Sequence, residues 1–566
     1  MSYISDFHTH IALKAANNED IQDIWERRLN KPPKKFLFFF NALRKLALDK
    51  YYNEYATYTQ CDLGNCVDGQ VRLINCALYP IERQYIHRRN LFVWLASSFS
   101  FFRKKFPFIQ LFNKKRNLLV MMVRVLQGTS EKKAIAIWDE QKNIDDYIDY
   151  FEDYKIELDH LKQVHNIYPA NPDYALKVFK LVKNYKELKD NLENPDVISG
   201  IVSLEGIHGL GKYKFRHLFK KASIDDLTNE DRTSLLQYIN LNLRRIKEND
   251  YTPLYITISH HYNNLICGHV KSFNGFITLL FKQKRGMNLP ITNSGKEIIE
   301  NMLARNADIK RILIDIKHMS VQARKEYYQI VRVKNENRNL IIEELGIPII
   351  SSHSAVSGVK TWDEAEKVGC EKKDDKYSYV SRCDVNLCDD DIIEIYESDG
   401  MIGVLMHEGR MPGKLYKKNI RNTSGKKKRI LQIQLFLTNV YHIVQVIEQR
   451  LAHDGWKVIT LGSDMDGLID PFDDYKNAGS LMRFRNDVYT YLDTYSEQSK
   501  GFRIKNILAN TDGSVEFSSE EIDTLNHSKS VSDVVDGIFY KNSDRFLSKY
   551  FTNDYLHGSS IKSLIS

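Results

Sequence analysis

Two histidines one residue apart close the first apolar run of the chain, where Tyr3 to Phe7 leads into His8-Thr9-His10. In an extended strand residues i and i+2 point to the same face, so both imidazoles can grip one cation. Imidazole nitrogen suits zinc and similar borderline ions. Other short apolar runs also end on groups that bind metals or move protons. Gly200 to Leu204 leads into Glu205, Leu254 to Ser259 into His260, and Ile312 to Lys317 into His318. Pro348 to Ser352 leads into His353, and Val458 to Ser463 into Asp464. One histidine at a strand end is usually a packed residue; a series of such ends in one chain points to a shared site.

The chemistry follows from the residue types. Gly206 behind Glu205 lets the backbone turn sharply. A carboxylate there can bridge two metal ions about 3.5–4 Å apart, the spacing of two-metal hydrolytic sites. His318 and His353, on successive runs, supply the second ion. Asp464 opens Asp464-Met465-Asp466-Gly467 and is placed to take a proton from an attacking water and pass it to a leaving group, while Asp466 shapes the turn. His260-His261 offers one further donor; strand alternation sends one of the pair inward, and His260 is the expected one. The glycines of Gly206-Ile207-His208-Gly209-Leu210-Gly211-Lys212 have the wrong spacing for a phosphate loop, and no G-x-S-x-G elbow occurs.

These residues need a scaffold that gathers strand ends. The runs named above, with Val71 to Leu78 and Met401 to His407, make eight of strand length. Helical patterns lie between many of them, as in Gly295 to Ala304 and Leu435 to Leu451. Strands alternating with helices give an α/β fold with a parallel sheet, and eight of them give a (β/α)8 TIM barrel with its reactive groups at the C-terminal mouth. The whole chain, 1–566, reads as one such barrel of the metal-dependent hydrolase type. The stretch from His10 to Glu205 is too long for two barrel units. About 20–70 and 83–130 are therefore read as an inserted helical cap, and about 360–380 as a second insertion. Phe36-Leu37-Phe38-Phe39-Phe40 and Leu91 to Phe102 pack together in that cap on this reading; the alternative is a membrane-surface or partner-binding patch.

Composition narrows the class. A hydrophobic fraction of 43% with 27% charged residues is that of a soluble globular protein. The net charge of +8 is scattered, so nucleic acid is not an expected partner. The one dense run, Lys426-Lys427-Lys428-Arg429 beside Gly425, reads as a solvated loop. Seven cysteines, an odd number with no C-x-x-C pair, fit reduced thiols and a cytoplasmic location. Cys61, Cys66 and Cys76 match no common zinc module. No signal peptide is expected, because the chain opens directly on its first strand. Leu91 to Phe102 is too short for a spanning helix, which needs roughly 20 residues, so no transmembrane segment is expected.

Assembled in order, the motifs resemble the membrane (renal) dipeptidase family of metallopeptidases, in the amidohydrolase superfamily. The similar stretches are Ser203-Leu204-Glu205-Gly206-Ile207-His208, Ile256 to His260, Leu313 to Ser320, Pro348 to Ser354, and Gly462 to Gly467. Leu289 to Glu300, with Gly295 and Lys296, is similar to the segment before the fifth strand. Val534 to Phe551, with Asn542 and Arg545, is similar to the closing helix. The resemblance covers residues 1–10 and roughly 195–551. It implies two zinc ions and hydrolysis of the amide bond of dipeptides or similar small amides. It implies metal ligands at His8, His10, Glu205, His318 and His353, with Glu205 bridging. It further implies a substrate contact at His260 near the developing oxyanion, catalysis by Asp464, and a carboxylate-holding arginine matched to Arg382. Dimers are common in the family, so a homodimer is an implied partner state.

Two departures stand out. The family's first-strand motif is H-x-D, whereas this chain has His8-Thr9-His10, which changes the site charge by one unit. The spacing between Arg382 and Asn386-Leu387-Cys388-Asp389-Asp390 is also not the family's. Other amidohydrolase activities therefore stay open at this point, namely an N-acyl amino acid deacylase, a lactonase or a deaminase. A non-catalytic binding protein is the remaining alternative.

Overall fold

The computed structural model describes residues 2–21, 23–26, 54–85, 115–141, 143–273, 281–338, 345–370 and 374–558. Eleven strands occur among them, in chain order β1 (Ile4–Thr9), β2 (Val71–Leu78), β3 (Tyr147–Asp149), β4 (Val178–Leu181), β5 (Val197–Glu205), β6 (Lys212–Lys214), β7 (Tyr255–Thr257), β8 (Leu313–Asp315), β9 (Ile350–Ser354), β10 (Met401–Val404) and β11 (Ile459–Leu461). Eight of them line up as β1-β2-β5-β7-β8-β9-β10-β11, all parallel. The longest register runs from Leu73↔Ser199 to Leu78↔Leu204. Parallel strands covered on both faces need unbroken apolar runs, and β5 and β8 through β11 are buried at every position.

The sheet closes where β11 returns to β1. Asp464 N–H donates to the His8 carbonyl and His10 N–H to the Met465 carbonyl, each at 2.9 Å. The buried Asp6 carboxylate accepts from the Ser463 backbone N–H at 2.9 Å and from the Ser463 hydroxyl, which ties the two strands together below the mouth. Burial pushes the Asp6 carboxyl up to about 6, against the pull of its Ser463 hydrogen bonds. The protein is a (β/α)8 barrel, as the eight apolar runs predict. The runs did not announce β4, which pairs with the first half of β5, or the antiparallel pair β3–β6.

Two apolar clusters matter for the site. One fills and surrounds the barrel. A second lies over the mouth, where Val120, Val123, Ile137 and Trp138 of the helices Lys115–Gln127 and Glu131–Asp139 pack on Tyr79, Tyr262 and Phe273. Both helices come from the long stretch between β2 and β5. The aromatic segments Phe36 to Phe40 and Leu91 to Phe102 lie outside the described residues.

Two composition readings are corrected. The Lys426 to Arg429 run is not a loop: it forms the first turn of the helix Gly425–Leu451. Cations at a helix N-terminus oppose the helix dipole. Here Lys428 is paired with Asp473, while Lys426 and Lys427 face solvent. That same helix is long and apolar enough to cross a membrane by composition, but every residue from Leu431 to Ile447 is buried within the protein. The thiols are not all free either. Cys370 and Cys383 are joined as a disulfide, and the other five cysteines are free and buried.

Candidate metal centre

Glu205 ends β5 in the middle of the barrel mouth, and its two oxygens face different histidines. Oε2 lies 3.0 Å from His10 Nε2 and 3.7 Å from His8 Nε2. Oε1 lies 3.4 Å from His318 Nε2, 3.5 Å from His353 Nε2 and 3.5 Å from His260 Nε2. Asp464 Oδ1 completes the first side, 3.3 Å from His10 Nε2 and 4.0 Å from His8 Nε2. With zinc–ligand bonds of about 2.0–2.1 Å, donors around one tetrahedral ion stand about 3.3–3.5 Å apart. The observed spacings bracket that value. The chain thus brings together seven side chains spread from position 8 to position 464.

The backbone makes the convergence possible at some cost. Gly206 has φ +98°, so the chain leaves β5 by a turn that side-chain-bearing residues resist. His318 and Asp464 hold left-handed conformations, φ +66° and +57°, although neither is glycine. Such residues cost roughly 1 kcal/mol each and persist only where the surroundings fix them. The Asp464 N–H bond to His8 does this at one, and the Val270 N–H bond to the His318 carbonyl, 3.0 Å, at the other.

Hydrogen bonds behind the cluster set the imidazole tautomers. The Tyr255 hydroxyl donates to the Phe7 carbonyl at 2.7 Å, so at 3.2 Å from His8 Nδ1 it must accept. Likewise the Ser352 hydroxyl donates to Asp315 Oδ2 at 2.6 Å and accepts from His353 Nδ1 at 2.9 Å. In both rings the proton sits on Nδ1 and the Nε2 lone pair faces the centre. Metal-ligating histidines are held in this way.

The residues present fit a bound metal. His8 Nε2, His10 Nε2, His353 Nε2 and Glu205 Oε1 are buried and have no hydrogen-bond partner among the described residues. A protein does not leave four buried polar atoms facing one point unless something there binds them. Burial drives the pKa of His318 and His353 well below the histidine range, which keeps those rings neutral as ligands must be. Burial alone would raise Glu205, yet the imidazole of His260 beside it holds it well below the carboxylate range.

His260 lies beyond the end of β7, and its Nδ1 is 2.8 Å from the buried Glu82 carboxylate. Burial would lower its pKa, but Glu205 and Glu82 raise it overall, which favours the protonated ring. Strand alternation does not apply there, and His261 reaches the cavity as well. Arg382 is a correction. Its guanidinium pairs with Glu364 at 2.9 Å and does not line the cavity above Glu205. Arg410, three residues past His407, does line it, with no side-chain partner among the described residues. His407 itself turns away, toward the backbone of Gly409 and Asp470.

Glu82, His261, Arg410, Tyr255, Asp315 and Gln127 were not singled out from sequence. Glu82 and Arg410 lie in the loops four and six residues past the ends of β2 and β10, not on a strand end like Glu205. Gln127 sits in the long stretch between two barrel strands, with nothing in its neighbourhood to mark it.

Fold and centre together define a (β/α)8 barrel whose mouth holds a buried histidine–carboxylate cluster fit to bind metal. No protein-family profile matches the sequence, and no curated protein matches it. Solved structures do. A metallo peptidase from Rhodobacter sphaeroides, bound to a phosphinate mimic of the dipeptide L-Ala-D-Ala, is 11% identical, with 97% of this chain and 99% of that one covered at a TM-score of 0.46. The probable dipeptidase PvdM from Pseudomonas aeruginosa is 12% identical, with 97% and 95% covered at 0.45. The dipeptidase AC, a metallo peptidase, is 11% identical, with 91% and 96% covered at 0.43.

Proposed function

We propose that this chain is a metal-dependent hydrolase that cleaves the amide bond of a small carboxylate-bearing substrate of the dipeptide class. One observation carries the reading: Glu205 turns one oxygen to His8 and His10 and the other to His318 and His353, the arrangement of a bridging carboxylate. His8 and His10 would hold one ion and His318 and His353 the other, with zinc favoured by the nitrogen-rich donor set. Bound there, two such ions supply Lewis acidity and an acidified water at neutral pH.

The rest is done by side chains. Asp464 stands beside both halves of the cluster and accepts the proton of the attacking water, then delivers it to the leaving amine. His260, protonated and braced by Glu82, directs Nε2–H at the carbonyl oxygen as negative charge develops on it. Arg410 receives the substrate carboxylate in the place first expected of Arg382; a guanidinium stays charged even where burial lowers its pKa. The motif order that resembles membrane dipeptidases supports a dipeptide as the substrate. The replacement of H-x-D by His8-Thr9-His10 leaves the centre one negative charge short of the family's, while Asp464 keeps its place 3.3 Å from His10.

The test is hydrolysis of a mixed dipeptide library by the purified, zinc-loaded protein, with a chelated control and metal analysis. Chelator-sensitive turnover with two ions per chain is expected. Hydrolysis that survives chelation, or a chain that takes up no metal, overturns the reading.

A further inference from the structure

The cavity above Glu205 has a polar group that the chemistry does not use. Gln127 is 1% exposed and lines that cavity together with Arg410, Tyr79 and His261. Neither its Nε2 nor its Oε1 makes a hydrogen bond of full geometry among the described residues, although the buried Tyr85 hydroxyl stands near the amide. A buried carboxamide with both ends unmet is rare, because each end lost its water on folding.

Gln127 is also held firmly. It is the last residue of the helix Lys115–Gln127, which Gly128 terminates at φ +63°. A Cβ at Gly128 would meet Lys14 Cγ at 2.4 Å, so the chain must pass there as glycine. Asn18 Nδ2 donates to the Gly128 carbonyl at 2.9 Å, and Ser130 N–H donates to the Asn17 carbonyl at 3.1 Å. These bonds fasten the helix end to the loop after β1, the strand that carries His8 and His10. The inserted helix therefore fixes an amide at a set place against the candidate centre.

Resting on the hydrolase reading above, we propose that Gln127 is a specificity residue that selects substrates carrying a second amide, as a carboxamide side chain, in addition to the scissile bond. A carboxamide offers an acceptor and two donors, and its complement is another amide presenting a donor and an acceptor side by side. An apolar side chain of equal length would leave Gln127 as unpaired as it is in the free protein, so it is discriminated against.

The experiment uses the zinc-loaded full chain and dipeptides paired by size: Gln-Ala against Met-Ala, and Ala-Gln against Ala-Met. The wild type is expected to favour the carboxamide at one position by roughly 10–100-fold in kcat/KM. Gln127→Leu should abolish that preference, bringing kcat/KM for each carboxamide peptide to within about threefold of its methionine partner measured on the same variant. Gln127→Glu, which keeps the volume but removes the donors, should abolish it as well and guards against a packing defect in the leucine variant. Calorimetric binding of the same four peptides to wild type and variants reads the preference independently of turnover. Equal binding and turnover of the paired peptides, or a preference that survives both substitutions, overturns the assignment. Failure of the hydrolase reading would be seen separately, as peptide binding with the carboxamide preference but no cleavage.

Discussion

The Tyr255 hydroxyl stands 3.2 Å from His8 Nδ1 and has already given its proton to the Phe7 carbonyl 2.7 Å away. It is therefore an obligatory acceptor for His8, and it keeps the other ring nitrogen bare. Tyr255→Phe removes only that oxygen from a fully buried ring. Metal affinity should fall by about 10–100-fold, the usual effect of losing a hydrogen bond behind a ligating histidine. Competition against a chelator measures this, with thermal unfolding as the control for folding. Unchanged affinity would mean that His8 is not oriented for a cation.

Asp464 separates metal binding from catalysis. Its carboxylate touches the cluster through His10 at 3.3 Å, yet the four imidazoles and Glu205 remain when it is neutralised. Asp464→Asn should keep two ions per chain and lose about 10²–10⁴-fold in kcat on a dipeptide. Turnover near the wild-type rate would remove Asp464 from the proton path.

Much of this site was legible because a strand end marks its own residue. Glu205, His318, His353 and Asp464 each follow a short, mostly apolar run, and a barrel mouth is where such ends must meet. Residues reached through loops carry no comparable mark. Arg382 was chosen by its place in a motif, and the structure gives its charge to Glu364 instead. Arg410 comes from a different strand's loop, and loops are where relatives diverge. His260 was selected by alternation along a strand that in fact ends at Thr257, so His261 was set aside for a reason that does not hold. Gln127 depends on how an inserted helix docks, and pairing between distant segments leaves no local periodicity to read.

Glu157 gives the protein a pH dependence of known sign. It is fully buried beside the mouth, accepting from Tyr79 N–H at 2.9 Å and Asn17 Nδ2 at 3.4 Å. Burial pushes its carboxyl up to about 7 despite those bonds. The folded chain thus holds a proton between about pH 4.5 and 7 that the unfolded chain has released. Raising the pH through that window lowers stability, and above it the loss is complete and flat. Glu157→Gln removes the linkage, so the wild-type and variant curves should diverge by up to about 1.4 kcal/mol per pH unit within the window. Urea midpoints between pH 5 and 8 measure the slopes; parallel curves would show that Glu157 titrates normally.

Gly467 leaves no room for any other residue beside the candidate centre. A Cβ there would stand 2.0 Å from Asp464 Oδ1 and 2.6 Å from His10 Cδ2. Both neighbours are short, buried side chains whose positions the site requires, so neither can yield without moving a functional atom. Gly467→Ala should therefore shift the Asp464 carboxylate and the His10 ring together. The first-side ion should be lost or weakly held, and activity should drop by at least about 10²-fold, because a displacement near 1 Å is enough for that. The barrel core is not involved, so the melting temperature of the metal-free variant should stay within a few degrees of wild type. Metal content, turnover and unfolding, measured on one preparation, distinguish this from a general folding defect. A Gly467→Ala protein with two ions and full activity would show that the Asp464–His10 geometry described here is not the one that works.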